Sequence, residues 1–535
     1  MRNKKVIIGL IMALTLSVPV GGYLVYNSVT VSRQTTIQQE VNSKGGGKNK
    51  AEDTAKEEIT HPREWEDGEE LRLTENRNAY KLQIALDEKG KKILGHQKIK
   101  FRNNYNTSLK DIVFHLYPDS YNTAETRPSI GGTPPKLAEI EIGDIKIDRV
   151  NYNGEAMSYS EDNQILKIKL NKELKPGEVG EVTIDFTLKI PYSQDRLGYC
   201  RNQYSITNWY PILSIYDETE GSWDENPFHP VGESNYSDCS DYMVEIAVPK
   251  DVVVITTGVQ IAKKNEGDLN KYIFEADNTR DFVLFMSSEY KVVSKEVDGV
   301  KVNSYYLYEE STAKRMLDLA CKSLQYFNDT FGKYPYPEYD VVESYLSGGA
   351  MEYPTVTQMG PYGKMSENYN ANELTFYDEA VVHETAHQWF YSTIGNNEFE
   401  DPILDESFTS YATALFFEDL FGKDNPLGVK GSFLDNSYRY TSPIYRSTDK
   451  YTWNEFSVIV YKIGPVVLED LRRQVGEEKF MEIFRTYYQT YKFKNATLEG
   501  FLKIIEEKSS KDISNYIRTA FTSDTYSTDA LRLRN

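Results

Sequence analysis

The chain has 535 residues, 39% hydrophobic and 27% charged, which leaves room for two or three domains with full cores and excludes a bundle of membrane helices. Its 61 Lys and Arg stand against 81 Asp and Glu, a net charge of −20. That field repels nucleic acid and anionic lipid surfaces and disfavours both as partners. Cys200, Cys239 and Cys321 are too few for a disulfide framework. Cys200 and Cys239 fall in one β region, and the choice between a bridge and free thiols stays open at this point.

Arg2, Lys4 and Lys5 precede an uncharged, largely apolar run from Val6 to Tyr26. This is an export signal, read as an uncleaved single-pass anchor over residues 1–27. The N-terminus is then cytoplasmic and the body extracellular, or the body is secreted if the segment is removed. Contact with membrane is expected through this segment only. Residues 28–65 turn polar and low in complexity around Gly45-Gly46-Gly47 and read as a tether.

Over residues 66–298 apolar and polar side chains alternate in short runs such as Tyr80–Leu86, Ile112–Leu116, Ile165–Leu170, Val182–Phe186 and Met243–Val248, broken by Asn, Gly and Pro. Period two at this spacing predicts an antiparallel β domain with one wet face per sheet. Over residues 299–535 the pattern lengthens to helical, beginning near Ser311 and running to Phe327. The fold class is thus α+β and multidomain: an antiparallel β domain, then a mainly helical domain.

Chemistry concentrates in the helical half. Thr375-Phe376-Tyr377-Asp378 is a capping signal that opens a helix of about twenty residues closing at Gly395. Within it stand His383-Glu384-Thr385-Ala386-His387. Residues four apart share a helix face, so both imidazoles can reach one metal at about 2.0 to 2.1 Å, with Glu384 beside them as a general base. Asp401-Pro402 starts a second helix that stops at Gly422. Glu406, nineteen positions after His387, lies in its first turns and supplies a third ligand. The set His383, His387, Glu406 suits Zn2+, one per chain, with a fourth position left for water.

These residues resemble the aminopeptidase N group of gluzincin metallopeptidases, which also includes the leukotriene hydrolase that doubles as an aminopeptidase. The family's HExxH, eighteen-residue spacing and Leu-Asn-Glu-Gly-Phe-Ala-Ser-Tyr context are matched by His383–His387 and Leu404-Asp405-Glu406-Ser407-Phe408-Thr409-Ser410-Tyr411. The resemblance implies a thermolysin-like zinc peptidase domain acting on peptides. It also implies that Glu352, in Gly349-Ala350-Met351-Glu352-Tyr353, binds the substrate's α-amine while the Gly349-Ala350 backbone runs along it. Tyr353 replaces the family's Asn. Tyr461, in Val460-Tyr461-Lys462-Ile463-Gly464, is implied as donor to the oxyanion. The amine-binding Gln of the family's first domain is represented by no clear match, with Gln203 as the guess. The family's large C-terminal helical domain is expected to be absent, and the cleft more open. An aminopeptidase follows, with two alternatives: an endopeptidase on the same zinc chemistry, or a surface binding protein with a structural metal.

Overall fold

The computed structural model describes residues 71–526 except 72, 75, 76, 129–135, 436–442 and 525. The expected anchor and tether lie outside the described residues. Among those described, no helix is long and apolar enough to cross a membrane.

Alternating side chains build the first half as expected. In Ser240–Pro249 every second residue is buried, and Val179–Lys189 repeats the pattern, because successive residues of a strand face opposite sides of the sheet. Both belong to an eight-stranded sheet that also holds Asn78–Asp87, Lys92–Arg102 and Leu269–Thr279 at its centre. The pairing is antiparallel with one exception. Asn78–Asp87 lies parallel to Ser240–Pro249, which a hairpin cannot produce; the long chain between the two strands makes the crossover. Two four-stranded sheets and a two-stranded ribbon are also described in this half, and a core around Trp209, Phe186 and Phe282 holds the layers together.

The second half begins earlier than residue 299. Strand Lys291–Val297, read from sequence as part of the β domain, pairs with Val300–Tyr306 and so joins the sheet of the helical half. That sheet continues through Glu338–Glu343 and Val356–Met359, both parallel, to the antiparallel edge strand Ala350–Tyr353. Eight helices follow or flank it: α1 (Glu310–Thr330), α2 (Phe376–Ala386), α3 (Phe408–Phe421), α4 (Trp453–Val458), α5 (Gly464–Val475), α6 (Glu477–Tyr491), α7 (Leu498–Lys508) and α8 (Lys511–Thr522). Their apolar faces share one core with the sheet, centred on residues such as Phe327, Trp389, Phe408 and Phe484.

The α2 helix has 11 residues, about half its expected length. The amide of Gln388 is drawn out of the helix: its Nε2 donates to the Tyr353 carbonyl at 2.9 Å and its Oε1 accepts from the Thr355 N–H at 2.9 Å. Tyr391 then takes a φ of 110°, a conformation that no helix continues through. Its start is as expected. The Asp378 carboxylate accepts from the Thr375 N–H at 2.6 Å and is gripped by the buried Arg315 of α1, at 2.6 and 2.7 Å.

The halves are joined through Arg280, a buried guanidinium of the β region. It donates to the Ser392 carbonyl at 3.2 Å and to Asn495 Oδ1 at 2.8 Å, both in the helical half, as well as to its own neighbour Ser237 at 2.8 Å. Cys200, Cys239 and Cys321 are all free and buried.

Candidate metal centre

The short α2 still carries the whole His-Glu-x-x-His set. His383 lies inside it and His387 is its C-terminal cap, with φ −61° and ψ −15°, so the two rings keep the same-face relation of residues one turn apart. Their Nε2 atoms are 3.1 Å from each other. Glu406 enters from the opposite side in a single π turn, Ile403–Ser407, that runs directly into α3. Its Oε2 lies 3.1 Å from His383 Nε2 and 3.5 Å from His387 Nε2. Tetrahedral ligands at about 2.05 Å from a zinc ion stand roughly 3.3 Å apart. Two nitrogens and one oxygen at these separations therefore fit the metal.

The surroundings orient the ligands. His387 Nδ1 bonds the Phe390 carbonyl at 3.0 Å, has the Thr409 hydroxyl at 3.1 Å and forms an ion pair with Asp405 at 2.8 Å. A carbonyl or carboxylate on the far ring nitrogen fixes the tautomer that turns Nε2 to the metal. Burial pushes the His387 imidazole down, and the charges of Glu352 and Asp405 outweigh it, so its pKa ends well above the ordinary value. Burial lifts Glu406 as well, but hydrogen bonds from His383 and His387 hold it far below the carboxylate range.

Glu384 is 5% exposed and its Oε2 has no hydrogen-bond partner among the described residues. Burial first, then the neighbouring Glu406 charge against the relief from His387, lifts its pKa to about 8. Tyr461 sits in a second π turn, Ile459–Ile463, between α4 and α5. Its hydroxyl donates to Glu406 Oε1, and its ring lies 5.9 Å from that of His383.

Glu352 is carried by the edge strand, whose outer side borders the cleft while its inner side pairs with Val356–Met359. Its carboxyl is 3% exposed, its Oε1 has no hydrogen-bond partner among the described residues, and it lies 3.9 Å from His387 Nδ1. Burial and the charge of Glu233 raise it well above the ordinary value. Gly349 and Ala350 line the same cleft, although the Gly349 carbonyl is taken by the Gly360 N–H at 3.0 Å. Tyr353 faces the other way. It is 1% exposed in a core with Phe285 and Val342, and its hydroxyl donates to Gln358 at 3.3 Å.

Gln203 is absent from the cleft. It is buried in a strand of the β region with its Nε2 on Ser205 at 2.9 Å, because its pairing with Ser287 turns it into the sheet. The first half instead contributes Glu233 and Arg196. Arg196 Nη2 donates to Glu233 at 3.1 Å, and the Glu233, Glu352 and Glu406 carboxyls all reach within 4.8 Å of one another. The only sequence signal for Glu233 is its place after Gly232, whose φ of 68° marks a turn. The loop is tied to the metal segment by Glu398, which accepts from the Asn235 N–H at 2.9 Å while its own N–H meets the Asn235 carbonyl at 3.4 Å.

This geometry joins two imidazoles, a third carboxylate placed to ligate, a buried carboxyl and a phenol in one cleft. Residues 315–519 match the peptidase family M1 domain. The helical half thus carries a peptidase family M1 domain. Together with its relatives this match supports the resemblance to the aminopeptidase N-type gluzincins, a group of zinc metallopeptidases. The chain is 22% identical over 437 residues to aminopeptidase M1-C of Oryza sativa subsp. japonica, covering 75% of itself and 47% of that protein. It is 29% identical over 216 residues to aminopeptidase N of Lactococcus lactis subsp. lactis, covering 38% of itself and 25% of that protein. The chain thus spans less than half the length of these curated relatives. In fold it is similar to the M1 zinc metallopeptidase of Deinococcus radiodurans, with a TM-score of 0.58 at 17% identity over 84% of this chain and 94% of that one. It is similar also to Legionella pneumophila aminopeptidase A, with a TM-score of 0.61 at 17% identity over 83% and 49%.

Proposed function

We propose that this chain is a zinc aminopeptidase that removes single residues from the free N-terminus of peptides. The observation that carries it is the pair of buried carboxyls, Glu352 and Glu233, held within 4.8 Å of each other and of the ligand Glu406. Five carboxyls gather in the site, with Asp405 and Glu384, and His387 and Arg196 are the cations paired with them. Such an excess is stabilised by a dication and by an ammonium group. An α-amine held at Glu352 brings only the first residue's carbonyl up to the ligands His383, His387 and Glu406.

Zinc, when bound, supplies a Lewis acid for the scissile carbonyl and lowers the pKa of water toward about 7. Glu384 takes the proton from the attacking water and returns it to the departing amine. The Tyr461 hydroxyl donates to the oxyanion. The open side of the edge strand pairs with the extended substrate backbone. In line with this reading, the Deinococcus radiodurans protein has been solved with a Tyr-Ser-Ala substrate.

The test compares free and N-acetylated peptides on zinc-loaded protein. Acetylation is expected to abolish cleavage. Equal rates favour an endopeptidase, and no hydrolysis of either favours a binding protein with a structural metal. Chelation should remove activity and added zinc restore it. The proposal extends to export and anchoring through residues 6–26, on the strength of the basic residues before that apolar run; protease shaving of intact cells should release the catalytic body.

A further inference from the structure

A second crevice, of about 310 Å³, opens where the two halves of the molecule meet, and it shares no lining residue with the metal cleft. The end of strand Leu269–Thr279 forms its wall on the β side, and Tyr336, Glu338, Thr355 and Phe493 form the wall on the helical side. Phe274 and Ala276 are buried on the core side of the strand, which leaves Glu275 and Asp277 on its outer face.

The charge here is one-sided. Among the described residues no Lys or Arg lines the crevice. Glu338 is answered from outside by Lys301 at 3.3 Å and Asn303 at 2.9 Å, whereas Glu275 and Asp277 make no hydrogen bond or ion pair among the described residues. Burial, then the charge of Asp241, lifts Asp277 above its ordinary value. Thr279, wholly buried at the end of the same strand, also lines the crevice, and its hydroxyl has no hydrogen-bond partner among the described residues.

The remaining wall is aromatic and held in place. The rings of Tyr336 and Phe493 stand 6.2 Å apart, and the Tyr336 hydroxyl donates to the Asn278 carbonyl at 2.8 Å. Thr355 and Phe493 take φ values of 64° and 63°, a conformation rare for β-branched and bulky side chains. Thr355 is fixed there by three bonds. Its N–H donates to Gln388 at 2.9 Å, its carbonyl accepts from the Asp340 N–H at 2.9 Å, and its hydroxyl accepts from the Gly258 N–H at 3.0 Å. Strain of this kind collects at ligand clamps, and ligand pockets favour the seams between domains.

We propose that this crevice is a second binding site, for a small organic cation that joins an ammonium group to an aromatic or aliphatic body. The ammonium lies at Glu275 and Asp277, and the body lies against Tyr336 and Phe493. A bare metal ion is disfavoured, because among the described residues the crevice offers no three ligand atoms within 4.8 Å of one another.

The experiment titrates 4-fluorophenethylamine into the zinc-loaded full chain and follows its fluorine resonance. Saturable binding is expected, about tenfold weaker in E275Q/D277N and little changed in E352Q, whose carboxyl belongs to the metal cleft. Both positions of the double variant are exposed, so the fold does not depend on them. The uncharged counterpart, 2-(4-fluorophenyl)ethanol, should bind the wild type about tenfold less tightly than the amine. No saturable binding, an affinity that E275Q/D277N leaves unchanged, or an alcohol that binds as well as the amine each overturns the site. Weakening confined to E352Q places the amine at the metal cleft and overturns it likewise. These measurements do not involve peptide hydrolysis, so the site stands or falls apart from the aminopeptidase reading.

Discussion

In the proposed mechanism Glu384 acts without ligating, and its carboxyl is buried beside the residues placed to hold the metal. In E384Q the shape and the three ligands remain while the proton carrier is gone. Turnover should fall about 10² to 10⁴-fold with zinc content unchanged by metal analysis. A variant that kept both zinc and full activity would remove Glu384 from the mechanism. Y461F loses one donor to the oxyanion and should cost about 10² to 10³ in kcat with little change in KM. Glu352 and Tyr353 show why one altered neighbour need not harm a motif. Successive residues of a strand point to opposite faces, so Glu352 meets the cleft while Tyr353 enters a core. The exchange of Asn for Tyr therefore changes packing behind the strand and leaves the amine anchor in reach.

At the scale of elements, the metal set was legible because it obeys helical spacing and a short return loop. Three features were not. The end of α2 depends on Gln388 bonding Tyr353 and Thr355, a tertiary contact that overrides the apolar pattern which continues past it. The π turns holding Glu406 and Tyr461 leave the apolar spacing nearly unchanged, so no periodicity announces them. Glu233 reaches the site only because the β region packs against the helical half, and the Gln203 guess failed since strand pairing, invisible in one sequence, turns that residue inward. The Glu398–Asn235 clasp yields a prediction at this scale. E398A frees the loop that carries Glu233 and should lower kcat/KM on free-amine peptides about tenfold to a hundredfold, since small misplacements of an anchor are costly. Zinc content should stay unchanged, and unaltered kinetics would show that Glu233 is held by other contacts.

For the whole molecule, Arg280 decides how firmly the halves hold together. R280A leaves buried carbonyls of Ser392 and Ser237 without this donor and should cost about 3 kcal/mol in denaturant unfolding. Asp281 gives the β region a pH dependence. Burial lifts its carboxyl from 3.8 to about 6, against hydrogen bonds from Phe282 and Tyr210. A carboxyl raised in the folded state favours folding while protonated. Its contribution is complete below about pH 4 and is lost as pH rises through about 6, a change of about 3 kcal/mol. Stability to unfolding, followed from pH 4 to 7, should fall less steeply in D281N than in the wild type, since Asp119 and Asp224, also raised to about 6 by burial, keep their own slope, and parallel curves would exclude the contribution of Asp281. The division into a β half and a helical half could be read from period two giving way to longer helical runs. The strand Lys291–Val297 could not be assigned that way, because its pattern says strand and only its partner says which sheet.

The two π turns have a consequence for insertions and deletions. Such a turn holds one residue more than the helical turn it replaces. Shortening the chain by one residue after Tyr461, at Ile463 for example, would relax the segment to ordinary helix and keep the fold. It would also swing Tyr461 by about 100° relative to α5, away from Glu406. Catalysis in this protein thus stands on single-residue length differences, so that a chain of nearly the same composition and stability could be inert, and counting residues between landmarks is a sharper guide to active relatives than matching their types.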